Sequence, residues 1–337
     1  MEYRQLGQSG LKVSELCLGT MTFGHGTSEA DAKRMVDRSF DAGVNFFDTA
    51  NSYADAQSEV FLGKALRGKR EKAVVATKFY NPMGSGPNDS GMSRYHIMNA
   101  IEASLKRLDT DHVDIYYIHH VDQQTPIEEM LRAVDDLVHQ GKVRYIACSN
   151  YEAWRLMEAL WISDTNGLAR FACYQPQYSL VVRDIELDLV PACAHKGLGI
   201  VTWAPLGGGF LSGKYRPGER TKSGTRSEEG FAYPGAFFAP NADETLAALL
   251  QVADEIGHSP AQTAIRWILE RPHVSSVITG ARTLDHLETN LGASGWTLPD
   301  AARTRLTEVS APRIKYPEAI EWFRDQSRLS AITGTGL

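Results

Sequence analysis

The stretch Val44–Gly63, VNFFDTANSYADAQSEVFLG, opens like a buried strand and closes like an amphipathic helix. Between the two stand Asp48, Asn51, Tyr53 and Asp55, more polar groups than a simple turn needs. A carboxylate and a phenol five residues apart therefore sit where a strand leaves the core. The same order of apolar run, polar elbow and helical spacing recurs along the chain. The apolar runs are SELCLGT, VNFFDTA, AVVATKF, VDIYYIHH, VRYIACSN, FACYQ, GIVTWAP and VSSVITG, eight in all. Helical period appears between them over Asp31 to Phe40, Arg94 to Leu108, Ile127 to Gln140, Trp154 to Ile162, Leu187 to His195 and Glu244 to Ile256. Near-continuous apolar strands followed by crossover helices belong to a parallel sheet covered on its outer face, and eight of them close a (β/α)8 barrel.

Two segments lie outside that rhythm. The opening MEYRQLGQSGLKVS alternates around Gly-Gln-Ser-Gly, which predicts an N-terminal β-hairpin beneath the first barrel strand, plugging the floor. After the seventh strand, Lys214 to Pro240 is polar and Gly-rich, then aromatic at Phe231, Tyr233, Phe237 and Phe238. A long loop without helical period predicts a lid. There is no internal repeat, low-complexity tract or linker, so residues 1–337 are expected to form one barrel domain.

The composition narrows the partners. A net charge of −6 and an isoelectric point near 5.9 argue against nucleic acid and anionic membranes, whose phosphates require clustered Lys and Arg. No apolar run approaches the roughly 20 residues of a membrane span, and Met-Glu-Tyr-Arg lacks the apolar core of a signal peptide. Cys17, Cys148, Cys173 and Cys193 are far apart and form no CxxC pair, as expected of buried free thiols in a cytoplasmic protein. A small molecule is the expected partner, and the oligomeric state stays open.

In a (β/α)8 barrel, polar residues at the C-terminal ends of strands form the active site. The second strand ends in Asp48 with Tyr53 beyond it, the third ends near Lys78 and the fourth near His119. A lysine at the inner end of an apolar strand needs a partner, and Asp48 lies one strand away. A phenol beside Lys⁺ has its ionised form favoured, which makes it a usable general acid. His119 is placed to donate a hydrogen bond to the same substrate oxygen.

Asp48, Tyr53, Lys78 and His119, set within FFDTANSYADAQSE, ATKF and DIYYIHH, resemble the tetrad of the aldo-keto reductases. The likeness runs from GLKVSELCLGTMTFG to VITGARTLDHLETNLGA, most of the chain. It implies a barrel that reduces an aldehyde or ketone with NADPH, or with NADH at lower efficiency. Tyr53 would then be the proton donor, Lys78 and Asp48 its tuning pair, and His119 the group that orients the carbonyl. By the same resemblance Ser149, Asn150 and Gln175 hold the nicotinamide carboxamide, Trp203 stacks on its ring, and Gly19, Thr20 and Met21 approach its ribose, with Asp48 close by. Ala204, Pro205, Leu206, Gly208, Gly213 and Lys214 form a loop whose backbone can approach a pyrophosphate. Gly280, Ala281 and His286 stand where the family usually carries a Lys-Ser pair and an Arg for the 2′-phosphate. Arg282 is left to grip that phosphate with His286 assisting, and Asn290 matches the adenine contact although Thr289 replaces the usual Glu before it. Some members of the family, the potassium channel β subunits, serve as partners, so a redox-sensing nucleotide-binding module is the alternative to an enzyme.

Three rival readings are weaker. Gly208 to Lys214 fits GxxxxGK, but Tyr215 stands where Mg²⁺ needs Ser or Thr, and RPGERTKSG cannot begin a helix. GLGIVT at Gly197 enters a strand instead of leaving one, so it is no dinucleotide fingerprint. The string HHVD invites a metal, but neighbouring strand residues are expected to point to opposite faces.

Overall fold

The computed structural model describes residues 1–219, 238–313, 316 and 319–320 of the chain. Two short strands, β1 (Tyr3–Gln5) and β2 (Lys12–Ser14), form an antiparallel hairpin. The barrel strands follow as β3 (Leu16–Gly19), β4 (Phe46–Asp48), β5 (Val74–Phe79), β6 (Val113–Ile118), β7 (Val143–Ser149), β8 (Phe171–Gln175), β9 (Gly199–Thr202) and β10 (Val274–Gly280). They close in the order β10-β3-β4-β5-β6-β7-β8-β9, every pair parallel. Each of the eight apolar runs of the sequence contains one of these strands.

The helices are α1 (Glu29–Asp41), α2 (Gln57–Ala65), α3 (Arg94–Leu108), α4 (Ile127–His139), α5 (Ala153–Asn166), α6 (Leu189–Lys196), α7 (Ala242–Ile256), α8 (Pro260–Leu269), α9 (Leu284–Leu291) and α10 (Asp300–Val309). Their packed faces and the outward side chains of the strands form one continuous apolar layer around the barrel. Helix α8 was not foreseen. It is buried along almost its whole length, its Ala261, Ala264, Ile265 and Ile268 recur at helical spacing, and it joins α7 in the crossing from β9 to β10.

A smaller cluster fills the barrel interior. Leu6 and Val13 of the hairpin join it at the N-terminal mouth, so the hairpin plugs the floor as its position suggested. Gln8 N donates to Gly197 O (2.8 Å) and Ser275 Oγ to Gln5 O (3.0 Å), tying it to the strand starts. Its turn passes so close that a Cβ on Gly7, at φ +57°, would collide with the backbone of Gly197 and Gly199. Most of the segment expected to form a lid, 220–237, lies outside the described residues. From Gly213 to Glu219 the chain forms turns. Among the described residues no helix is long and apolar enough to cross a membrane.

Candidate active site

Strand alternation builds the site. Cys17, Phe46, Ala76, Tyr117, Ala147, Cys173, Val201 and Ile278 belong to the interior cluster, one from each barrel strand. With a period of two, the next inward position on each strand is Gly19, Asp48, Lys78, His119, Ser149, Gln175, Trp203 and Gly280. Eight residues expected at the site thus form the top layer of the barrel interior, above a layer that is mostly apolar.

Lys78 is fully buried and Asp48 is 2% exposed. The ammonium donates to Asp48 Oδ1, to Thr49 O (2.7 Å) and to Tyr53 Oη (3.2 Å), so its three N–H groups each have an acceptor. Asp48 Oδ2 in turn accepts from Gln175 Nε2 (2.9 Å). Nζ also lies 4.8 Å from the centroid of the Tyr53 ring. Burial opposes the charge on Lys78, yet the Asp48 carboxylate and the Tyr53 phenol outweigh it and raise the lysine above its ordinary value. Burial lifts the Asp48 carboxyl, with Lys78 and Gln175 pulling the other way.

Tyr53 is brought back over the mouth by a loop of unusual backbone. Ala54, Asp55 and Ala56 follow it at φ +50°, +50° and +69°, in the left-handed region that residues with a Cβ seldom occupy. Helix α2 then anchors this loop from below. Ser58 Oγ donates to Thr20 O (2.7 Å), and the buried Glu59 accepts from Thr77 Oγ1 (2.5 Å) and Arg107 Nε (2.6 Å).

His119 stands against Tyr53 edge to face, ring centroids 5.9 Å apart. Burial, then the charge of Lys78 and then His120, hold its imidazole well below the usual histidine value, so it is neutral near pH 7. His120 does not point to the opposite face, as alternation had suggested. Its ring stacks on that of His119 at 4.6 Å, with Tyr80 edge-on to it at 5.4 Å. The reason is that the last ladder bond runs from His119 N to Phe79 O (3.0 Å), one residue past the end of β6, and beyond it the pleat no longer sets direction. No cluster of metal-binding side chains occurs among the described residues.

The remaining expected residues fall into two groups. Near the tetrad, Ser149 Oγ donates to Gln175 O (2.7 Å), Asn150 Nδ2 to His119 O (3.0 Å) and Thr20 Oγ1 to Asp48 O (3.0 Å). Met21 is 37% exposed beside Thr20. Farther round, Ala204 to Leu206 lead into a short 3-10 helix, Gly207–Ser212, in which Gly207, Gly208 and Gly209 all have positive φ. Such a run is open to glycine, and Gly207 N and Gly209 N donate to Ala204 O (2.9 Å) and Leu206 O (3.0 Å). Gly213 and Lys214 follow it. Partial burial and the positive charges of Lys214 and Arg282 lower the His286 imidazole against the pull of Asp285, so two cationic side chains and a neutral imidazole bear on one place. Asn290 is buried and donates to Gly280 O (3.1 Å), securing the end of β10. Sequence reasoning missed Asn81, whose Nδ2 lies 3.4 Å from His119 Nδ1 and donates to Ser52 Oγ (3.0 Å). Before Pro82 it reads as a turn residue, and its position three beyond Lys78 was the available signal.

Comparison with known proteins finds relatives over most of the chain. The model of the Aldo/keto reductase family matches residues 15–311. An uncharacterized oxidoreductase of Bacillus subtilis, YrpG, is 38% identical over 96% of this chain and 100% of its own length. A probable voltage-gated potassium channel subunit beta of Arabidopsis thaliana is 39% identical, covering 87% of this chain and 91% of that one. A putative subunit of the same description from Schizosaccharomyces pombe is 36% identical over 86% of this chain and 87% of its own.

Proposed function

Because the chain belongs to the Aldo/keto reductase family and is an oxidoreductase, we propose that it reduces an aldehyde or ketone to an alcohol with NADPH, Tyr53 acting as general acid. The observation that carries this reading is the Lys78 ammonium, fully buried, bonded to both Asp48 and Tyr53. A cation fixed at a phenol stabilises the phenolate left after proton transfer, so the proton is lost more readily. Neutral His119 donates to the carbonyl oxygen and holds it toward Tyr53. Asp48 keeps Lys78 charged in a place without water.

The residues fit a nicotinamide dinucleotide. Ser149, Asn150 and Gln175 would hold the carboxamide, Trp203 the ring, and Gly19, Thr20 and Met21 the ribose beside it. The loop Ala204–Gly213 would take the pyrophosphate on its amides. Lys214, Arg282 and His286 would bind the 2′-phosphate, which favours NADPH over NADH. A bound reduced nicotinamide supplies the hydride. Purified protein mixed with NADPH and 4-nitrobenzaldehyde should consume the cofactor, followed by its absorbance. No consumption over a panel of aromatic, aliphatic and sugar aldehydes and ketones would count against an enzyme.

Relatives named as potassium channel β subunits support a second reading, a nucleotide-binding partner protein in which redox state is sensed. Tight NADPH binding without turnover on that panel would favour it.

A further inference from the structure

An imidazole that is neutral can give a proton to a hydrogen bond from only one of its nitrogens. Which nitrogen carries it at His119 decides whether the ring can donate to a substrate oxygen at all. The orientation of the ring is already fixed: Tyr53 meets it edge to face, His120 stacks on it, and Asn150 Nδ2 holds its backbone carbonyl. What is left undetermined by these contacts is the tautomer.

We propose that Asn81 is a positioning residue that sets this tautomer, donating from Nδ2 to His119 Nδ1 and so leaving the ring's single proton on Nε2. Resting on the reading of Tyr53 and His119 as a carbonyl-reducing centre, this explains how His119 donates to the oxygen that Tyr53 protonates. An amide nitrogen is a donor only, so the Nδ1 it faces must offer a lone pair. The distance is 3.4 Å, and the same Nδ2 donates to Ser52 Oγ at 3.0 Å, so the amide is held between the loop after β4 and the loop after β6. The backbone delivers it there at a cost. Tyr80, the residue before Asn81, sits at φ +136°, where side chains other than glycine's are strained, and its carbonyl accepts from Gly91 N (2.8 Å). The chain thereby turns off the line of β5 immediately after Phe79 and sets Asn81 beside the imidazole. His119 is 9% exposed and Lys78 adds a nearby positive charge, so a second proton on the ring is disfavoured and the choice of nitrogen is the only freedom left.

The test reads the nitrogens directly. Protein labelled with ¹⁵N-histidine, the His119 signals assigned by their loss in His119→Asn, should show an unprotonated Nδ1 and a protonated Nε2 near neutral pH. In Asn81→Asp the new carboxylate only accepts, so the pattern should reverse, with the proton on Nδ1. Turnover of 4-nitrobenzaldehyde should then fall by about a hundredfold, as for loss of one donor to a developing oxyanion, while NADPH affinity is unmoved. A parent spectrum with Nδ1 protonated overturns the proposal without any variant, because Oδ1 would then face the ring. An Asn81→Asp spectrum with the parental pattern overturns it as well. If the protein reduces no carbonyl, the spectra still decide the tautomer, so failure of the proposed function and failure of this inference are told apart.

Discussion

Replacing Lys78 by methionine takes an ammonium from a place where water cannot replace it. The side chain is fully buried and its three N–H groups go to Asp48, Thr49 O and Tyr53. Methionine has nearly the same length, so the loss is electrostatic and leaves little cavity. Removing one partner of a buried ion pair costs about 3–5 kcal/mol, because the other charge is stranded. Part of that cost is escaped here, since burial already lifts the Asp48 carboxyl and without Lys78 it takes up a proton. Adding Asp48→Asn removes the stranded acid entirely, so the double variant should be more stable than the sum of the single losses by about 2 kcal/mol. Urea unfolding of the four proteins, followed by circular dichroism, measures this coupling. The sign with pH also follows. Lys78 is raised in the folded protein, so its contribution is present below the unfolded value of about 10.4 and is lost as pH rises through the folded value. The gap between parent and Lys78→Met should be widest near neutrality and narrow in strong alkali. Effects that add within about 0.5 kcal/mol would refute the idea that these two charges hold each other in place.

Tyr53→Phe keeps the ring and removes the proton donor, so turnover should drop at least about a hundredfold with NADPH binding unchanged. Near-parental turnover would take Tyr53 out of its role. Arg282→Ala should erase most of a preference for NADPH over NADH of roughly tenfold to a hundredfold, the worth of one charge-assisted contact. Comparing kcat/KM for both cofactors decides it, and a parent that prefers NADH sinks the assignment. His119 is depressed in the folded protein, so its neutral form contributes stability above the unfolded value of about 6.5, lost as pH falls toward the folded one. The stability difference between parent and His119→Asn should be flat above that pH and change below it, and a flat difference throughout would mean that burial does not hold the ring neutral.

How much of this was legible depended on whether a residue's surroundings left a mark on the chain. Barrel strands did, because a strand covered on both faces needs a mostly apolar run, and Phe46–Asp48 and Val74–Phe79 each open with one. Asp48 and Lys78 were legible because a charge at the end of such a run is anomalous without a partner. Helix α8 was passed over, although Ala261, Ala264, Ile265 and Ile268 recur at helical spacing. Its start did carry a signal, the capping box of Ser259 and Gln262 with Pro260 at the first turn. His120 was misread because alternation was extended one residue past the last ladder position. Asn81 was overlooked because its partner is 38 positions away, across two loops, and only its nearness to Lys78 marked it.

The layered interior also ties chemistry to register. Each strand presents one inward residue at the mouth, so sliding β5 by a single position against β4 and β6 would offer Thr77 or Phe79 in place of Lys78. A slip of that size keeps the strand in the sheet while turning its inward side chains outward and its outward ones inward. It would nevertheless exchange an ammonium for a hydroxyl or a benzene ring above Asp48. Misthreaded molecules should therefore be silent instead of sluggish, and the active fraction of a preparation, titrated by its capacity for one turnover, would count chains whose strands are in step.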